Sequence, residues 1–205
     1  MFVSIKDLSG FLGENKIGLI HAKKVCIKYK YMSTKYMSTK NMSKPKNLIA
    51  VAFFNERKIK GTVLFTENKD TNQVVIDIKL EGLKKNHLHG FHVHQAGDLR
   101  ENCTSMCAHF NPYNKTHGCP GMKKRHVGDL GNLQTDGEGK VQYRMYDDVI
   151  KLHGTASILG RGLIIHADTD DCGQGGDEAS LLNGNAGKRI ACAIIGWAKD
   201  NFEKC

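Results

Sequence analysis

The sequence lacks the features that mark several common classes of protein. No stretch approaches the roughly 18 to 20 consecutive apolar residues that a membrane-spanning helix needs, so no membrane partner is expected. The early apolar run at 17–20 is also too short for a secretory signal, which leads us to expect a cytoplasmic chain. None of the seven cysteines belongs to a Cys-x-x-Cys pair, which argues against zinc-ribbon and thioredoxin-like motifs.

Arginine is also scarce, since it supplies only six of the 30 basic residues. Bidentate contacts to DNA bases are usually made by arginine, so the net charge of +9 does not by itself indicate a specific nucleic-acid partner. The positive charge is concentrated in residues 1–46, which contain ten lysines and two acidic residues. Residues 47–205 contain 20 basic and 19 acidic residues. The N-terminal segment is therefore a candidate for docking on an acidic partner.

Residues 1–46 differ in composition from the rest of the chain. They contain the repeat YMSTKYMSTK, which has too few apolar side chains to offset the entropy lost on ordering. A weak apolar rhythm before the repeat would suit one short helix or a frayed extension. We therefore expect a basic, flexible extension over 1–46 and a folded domain over 47–205.

The domain is predicted to be all-β. Val74, Ile76, Ile78 and Leu80 recur at every second position, which is the period of a half-buried strand. Eight such runs without a long helical pattern predict an eight-stranded antiparallel Greek-key barrel or sandwich. The runs are LIAVAFF, GTVLFTE, VVIDIKLEG, FHVHQ, GNLQT, VQYRMY, GLIIHA and IACAIIGWA. Two long irregular stretches, 96–129 and 167–189, interrupt them, and loops of this length are usually functional.

Four histidines are crowded into residues 87–94, HLHGFHVH. Side chains two positions apart on a strand point to one face, so His92 and His94 could share a metal ion, as could His87 and His89. Taken alone, either pair could equally be exposed histidines that bind no metal.

The long loops strengthen the metal hypothesis. The first carries three histidines and an aspartate, a set that suits a tetrahedral zinc ion and could fix a loop that has no core of its own. These residues are His109, His117, His126 and Asp129. His166 ends the strand before the second loop, so histidines accumulate at strand ends and in loops.

Six motifs then occur in a fixed order: GFHVHQAGD, CTSMCAHFNP, HGCP, RHVGDLGN, GRGLIIHADTDDCGQGGDE and NGNAGKRIACAIIG. In this order they closely resemble the copper/zinc superoxide dismutase family. The resemblance covers roughly residues 47–201. It implies copper ligands at His92, His94, His109 and His166, and zinc ligands at His109, His117, His126 and Asp129.

The resemblance also implies roles for residues around the metals. His109 would bridge copper and zinc, and Asp170 would accept hydrogen bonds from His92 and His117 and so orient both rings. His89 matches a structural histidine of the family, whereas His87 has no assigned role.

The implied reaction is the dismutation of superoxide to oxygen and hydrogen peroxide, by cycling of copper beside a structural zinc. His109 and Arg189 are the implied catalytic residues, because Arg189 matches the arginine beside the copper. The alternative is a non-catalytic copper/zinc carrier or copper chaperone-like module on the same fold. The complete set of metal-binding residues together with Arg189 favours the enzyme.

The resemblance assigns one pair of cysteines. Cys103 and Cys192 match the family's disulfide, which would tie the first long loop to the last strand. The other cysteines have no partner that the sequence identifies, and we expect buried free thiols there. They are Cys26, Cys107, Cys119, Cys172 and Cys205.

Several positions depart from the family pattern. Asp168 and Leu182 stand where many members have lysines, and Asn183 stands where threonine is common. Attraction of an anionic substrate would then depend on Arg189 and its neighbour Lys188. Cys107 and Cys119 replace glycines, so the loop would differ locally if either glycine needs a positive φ.

The resemblance further implies a homodimer built on the last strand and the segment before GRG. Exposed isoleucine and tryptophan would otherwise leave an apolar patch in water. The residues concerned are Leu159, Gly160, Ile194, Gly196 and Trp197, with Gly97 nearby.

Overall fold

The structure is a computed structural model, and it describes residues 47–68 and 70–202. They belong to one unit, Ser43–Cys205. The predicted extension, its possible short helix and Cys26 lie outside the described residues, as does Cys205. Within the described part of the chain, no helix is long and apolar enough to cross a membrane.

The described part of the domain contains nine strands and one short α-helix, and all eight predicted strands are present. In chain order the elements are β1 (Asn47–Asn55), β2 (Lys60–Asn68), β3 (Gln73–Glu81), β4 (Leu88–His94), β5 (Arg100–Cys103), β6 (Asp129–Gln134), β7 (Val141–Asp147), β8 (Gly162–His166), α1 (Glu178–Asn183) and β9 (Arg189–Trp197). Single 3₁₀ turns occupy Thr104–Met106 and Lys199–Asn201.

Eight of the strands form one antiparallel sheet in the order β6-β4-β8-β9-β1-β2-β3-β7, while β5 lies outside it. The sheet curls into a nearly closed barrel, which confirms the predicted fold class. Because its end strands β6 and β7 are consecutive in the chain, closure leaves little unpaired edge. The non-sequential order also places β4, β8 and β9 side by side: β4 and β8 carry the strand histidines, and β9 begins with Arg189.

The two halves of the sheet differ in how their side chains are buried. On β3, Val74, Ile76, Ile78 and Leu80 are buried in the barrel, as their period of two predicts. In contrast, six of the seven residues of β4 and all five of β8 are buried. Both faces of these two strands are therefore covered. Phe91 and Val93 of β4 lie in the core, and the two long loops cover the opposite face.

The loops are more structured than the sequence suggested. Stretch 96–129 contains β5 and a 3₁₀ turn, and stretch 167–189 contains α1, so the expectation of irregular chain was wrong at these points. The Asp177 side chain caps α1 by accepting a hydrogen bond from the Ser180 amide at 2.8 Å. Gly184 ends the helix in the left-handed conformation, with φ of 68°.

Candidate metal centre

Backbone pairing brings the predicted loop residue His109 next to β4. His94 and His109 form an isolated antiparallel bridge, and the Phe110 amide donates to the Val93 carbonyl at 2.9 Å. Since β8 pairs directly with β4, His166 arrives on the same side as His92 and His94. The ligand atoms of these residues lie within 4.8 Å of one another, and we call them the four-histidine group: His92, His94, His109 and His166.

Each ring of the four-histidine group uses one nitrogen for an outside contact. His92 Nε2 lies 2.8 Å from Asp170 Oδ2, His94 Nδ1 donates to the Cys107 carbonyl at 2.8 Å, and His166 Nδ1 donates to the Gly187 carbonyl at 3.1 Å. The second nitrogens are left to face one another, as the 3.4 Å distance between Nε2 of His94 and Nε2 of His166 shows. Four inward imidazole nitrogens suit copper.

A second set, which we call the three-histidine group, surrounds one carboxylate oxygen. Asp129 Oδ1 lies 2.9, 3.0 and 3.1 Å from three Nδ1 atoms. The other oxygen, Oδ2, accepts the amides of His126 at 2.7 Å and Gly118 at 3.1 Å, which fixes the carboxylate. The three-histidine group thus consists of three histidines and the aspartate, and all four residues are buried: His109, His117, His126 and Asp129. Three nitrogens and one oxygen match the donors of tetrahedral zinc.

His109 belongs to both groups. Its Nδ1 faces Asp129, and its Nε2 is buried without a hydrogen-bond partner among the described residues. The same holds for Nδ1 of His92, and Nδ1 of His117 makes no well-aligned hydrogen bond although it lies 3.0 Å from Asp129 Oδ1. Burying a polar atom without a partner is costly, so these inward nitrogens fit metal ions as their partners.

Asp170 connects the two groups by contacting one histidine ring of each. Its Oδ2 lies 2.8 Å from His92 Nε2, and its Oδ1 lies 2.8 Å from His117 Nε2. Asn132 holds the backbone of Asp170 through hydrogen bonds of 2.8 and 2.9 Å. One carboxylate thus orients a ring in each group.

Burial and contacts between histidines and carboxylates together set the pKa values of the groups. It lowers the pKa of His92 to about 3 and the pKa of His166 to about 4. Burial acts in the same direction on His117, but hydrogen bonds to two buried carboxylates outweigh it and raise its pKa to about 9. Burial alone would raise the pKa of Asp129, yet its histidine contacts hold that pKa well below the usual value. Near neutral pH, His92 and His166 are therefore neutral, as metal ligands must be, whereas His117 has to release a proton when it binds a metal.

The four-histidine group opens to solvent through a cavity of about 560 Å³, whose lining includes Leu182, Asn183 and Arg189. Three backbone carbonyls hold the guanidinium: Nη1 donates to Cys103 at 2.6 Å and Thr104 at 3.1 Å, and Nη2 donates to Cys107. A fixed cation at this mouth would attract a small anion toward the histidines.

A buried ion pair anchors the loop of the three-histidine group. Arg125 Nη2 lies 2.6 Å from Asp147 Oδ2, and both side chains are at most 3% exposed. Asp147 Oδ1 also accepts the amides of Val149 and Ile150 at 2.8 Å. Since Arg125 precedes His126 and Asp147 ends β7, the pair ties this loop to the barrel.

Two disulfides are formed among the described residues, one from the first long loop to β9 and one between the two long loops. Cys103 and Cys192 are bonded, as are Cys119 and Cys172. The expectation of buried free thiols was therefore wrong for Cys119 and Cys172, because pairing across 53 residues depends on where the two loops meet. It was also wrong for Cys107, which is free but exposed.

His87 and His89 form no third group among the described residues. His89 Nδ1 donates to the His166 carbonyl at 2.7 Å, and His87 Nε2 lies 3.2 Å from the Ala167 carbonyl. Both rings thus hold the end of β8 where the second long loop begins. The spacing of the two histidines in HLHG indicated that both rings lie on one side of β4. Spacing within one strand cannot show that their partners are backbone carbonyls at the end of β8.

Of the positions that depart from the family pattern, Leu182 and Asn183 line the mouth, whereas Cys119 lies away from it in the disulfide to Cys172. Cys107 adopts φ of 61° and ψ of −150°, a region nearly reserved for glycine that costs other residues on the order of 1–3 kcal/mol. Cys119 is not among the residues with positive φ. Leu182 is 59% exposed, so the rim is apolar at a position where a lysine could have stood.

Comparisons with known proteins agree with this geometry. The family model described as copper/zinc superoxide dismutase (SODC) matches residues 59–195. The chain is 55% identical over 160 residues to the Cu-Zn superoxide dismutase of Paramecium bursaria Chlorella virus 1, covering 78% of this chain and 83% of the relative. It is 48% identical over 141 residues to that of Candida albicans, covering 69% and 92%. Among solved structures, the clock protein EA4 superposes with a TM-score of 0.71 at 38% identity, covering 75% and 96%.

Proposed function

Because this chain belongs to the copper/zinc superoxide dismutase family and dismutates superoxide with copper and zinc, we propose that its two histidine groups divide the metals between them. The four-histidine group takes copper, and the three-histidine group takes zinc. The donor sets support this division, since four imidazoles suit copper, whereas three imidazoles and a carboxylate suit zinc.

Copper supplies a centre that accepts and returns one electron, and zinc supplies a fixed charge without redox chemistry. The residues of the chain supply position and protons. Asp170 holds the rings of His92 and His117, and Asp129 Oδ1 lies 2.9 Å from Nδ1 of His109, where both atoms can be ligands of zinc. His109 Nε2 faces the four-histidine group, so it is the atom at which a proton can be held and then delivered to reduced substrate.

Arg189 attracts and orients superoxide. Its guanidinium lines the mouth beside His94, His109 and His166, and three carbonyls prevent it from moving away. A small anion entering the cavity meets this positive charge next to the inward nitrogens. We therefore assign catalytic roles to His109 and Arg189.

The membership of His109 in both groups is the observation that carries the division. Its test is reconstitution of the metal-free chain with copper and zinc, followed by metal analysis and a dismutation assay on the same sample. We expect about one copper and one zinc per chain with fast dismutation. Metal uptake at this ratio without dismutation would instead support the non-catalytic carrier, which the family relationship does not favour.

Substitution of Arg189 by alanine is expected to lower the rate of dismutation at low salt by about tenfold or more and to flatten its dependence on ionic strength. The variant loses the cation at the mouth but keeps every residue of both histidine groups. Rates across a series of salt concentrations would measure this. Arg144→Ala, which removes the same charge from β7, is the control, and an Arg189 variant that behaves like it would remove the steering role.

We propose that two copies of the chain pair through β9. Ile194 and Trp197 are 40% and 46% exposed on this strand. A side chain added at Gly97 would lie 2.2 Å from the Gly160 carbonyl and 3.2 Å from Ile194, so these three residues form one continuous patch. An exposed apolar patch of this kind is typical of a surface covered by a partner, and a second copy offers the same patch through twofold symmetry.

Sedimentation velocity tests the pairing. At micromolar concentration the chain should sediment as a dimer, and Ile194→Asp should shift it to the monomer, since a carboxylate would be buried without a partner. Tyr146→Asp introduces the same charge at an exposed residue of β7 and should leave the dimer intact. A monomeric parent chain would contradict the proposal outright.

We also propose that residues 1–46 dock on an acidic surface, supported by their excess of eight positive charges. Retention of the full chain on an anionic matrix should fall as salt rises, and deletion of 1–46 should abolish it. Retention that ignores salt, or that survives the deletion, would reject this role.

The cytoplasm is the location we propose. The exposed, unpaired thiol of Cys107 supports it, whereas the two disulfides are of a kind more common in oxidising compartments, so the location needs a direct test. Fractionation of expressing cells should recover the chain in the cytosolic fraction, and recovery from a secreted fraction would contradict it.

A further inference from the structure

The disulfide between Cys119 and Cys172 joins the two long loops beside the metal centre. Cys119 belongs to the loop between β5 and β6, which carries the three-histidine group. Cys172 belongs to the loop between β8 and β9, which carries Asp170. Neither cysteine has a role in the metal groups or in the mouth.

Both cysteines lie close in sequence to one contact of the metal centre. Cys119 follows His117 by two residues, and Cys172 follows Asp170 by two residues. The contact joined by these neighbours is the 2.8 Å distance between His117 Nε2 and Asp170 Oδ1. The two sulfur atoms and a carboxylate oxygen of Asp170 lie within 4.8 Å of one another.

The backbone around the disulfide takes part in the site as well. The Cys172 amide donates to Asp170 Oδ1 at 2.7 Å, and the Gly118 amide donates to Asp129 Oδ2 at 3.1 Å. A shift of either cysteine therefore moves a donor to one of the two carboxylates of the zinc side. The disulfide is coupled to the ligand positions through these short links.

The loops also meet with little spare room. A side chain at Gly173 would lie 2.7 Å from the His117 carbonyl oxygen, and one at Gly184 would lie 2.0 Å from Asp170 Oδ1. Such close packing has few alternative arrangements once the loops are joined. Without the disulfide, only noncovalent contacts would hold the loops together here. Several buried ring nitrogens near these contacts have no hydrogen-bond partner in the metal-free centre.

We infer that Cys119 and Cys172 are positioning residues, whose disulfide holds His117 against Asp170 before metal binds and so keeps the zinc site preformed. This inference rests on the proposed zinc site. A preformed site loses less conformational freedom when its ligand binds, so the bond slows zinc release rather than only stabilising the folded chain.

The test replaces both cysteines, Cys119→Ala with Cys172→Ala, in the full chain. Zinc release is followed from the copper- and zinc-loaded protein by transfer to a coloured chelator, and we expect it to be about 10 to 100 times faster than in the parent. Ile76→Ala, a cavity variant in β3 far from the loops, is the matched control for lost stability. Release no faster than in this control would overturn the inference.

Hydrogen exchange in the metal-free protein provides a second readout that does not need zinc. Exchange should accelerate in 109–128 and 168–186 of the double variant but not in β1 to β3, whereas the Ile76 variant should show the opposite pattern. Unchanged exchange in the two loops would overturn the inference even if the parent bound no zinc, an outcome that would separately refute the proposed zinc site. If the double alanine variant does not fold, the paired serine variant takes its place.

Discussion

Replacing His109 with alanine is expected to reduce dismutation by more than about 100-fold and to lower both copper and zinc content. Loss of an outer hydrogen-bond partner alone typically costs 10–100-fold in metal affinity or activity, and this variant removes a proposed ligand of both ions. His109 contributes Nδ1 to one group and faces the other with Nε2, so no neighbouring residue replaces it. Metal analysis and a superoxide assay on one preparation would measure both effects.

His153→Ala is the matched control for that experiment. Its ring is 61% exposed and contacts Glu67 at 3.1 Å, outside both histidine groups. Metal content and dismutation should stay at the parent level in this variant. Retention of both metals and of full activity in His109→Ala would refute the bridging position.

Asp147→Ala is expected to destabilise the domain by about 3–5 kcal/mol, because it leaves the buried Arg125 charge without its partner. It also removes the acceptor of the Val149 and Ile150 amides. For a domain of this size, such a loss lowers the melting temperature by roughly 6–20 °C. Calorimetry of the metal-free chain would measure it without a contribution from bound metal.

The comparison that isolates burial is Asp77→Ala. Asp77 pairs with Arg144 at 2.6 Å between β3 and β7, but these side chains are 40% and 56% exposed. Water and salt screen such a pair, so its loss should change the melting temperature far less. Equal changes in the two variants would show that the buried pair does not anchor the loop.

Strand positions could be predicted from the sequence because alternation is a local property. Val74, Ile76 and Ile78 face the core of β3 as their period requires. The strands β4 and β8 break that rule because loops from other parts of the chain cover their second face, and no local pattern shows such a cover. Helix α1 was missed although Asp177 and Gly184 mark its two ends, since six residues are too few to establish a helical period.

The candidate site likewise contains residues that could be predicted from the sequence and residues that could not. His92 and His94 could be paired from their spacing on a strand, and motif order suggested the remaining metal-binding residues. The Arg125–Asp147 ion pair and the Cys119–Cys172 disulfide could not be predicted, because each joins residues that only the folded loops bring together. Cysteine connectivity in particular cannot be deduced from sequence alone.

The carbonyl oxygen of Cys107 accepts hydrogen bonds from both His94 Nδ1 and Arg189 Nη2. A ring of the four-histidine group and the cation at the mouth are thus joined by the main chain and not by a side chain. The role of this position therefore depends on its backbone angles, which aim the carbonyl oxygen, and not on the chemistry of its side chain. A residue that reaches φ of 61° can present this carbonyl whatever its side chain, and the exposed thiol of Cys107 takes no part in either hydrogen bond.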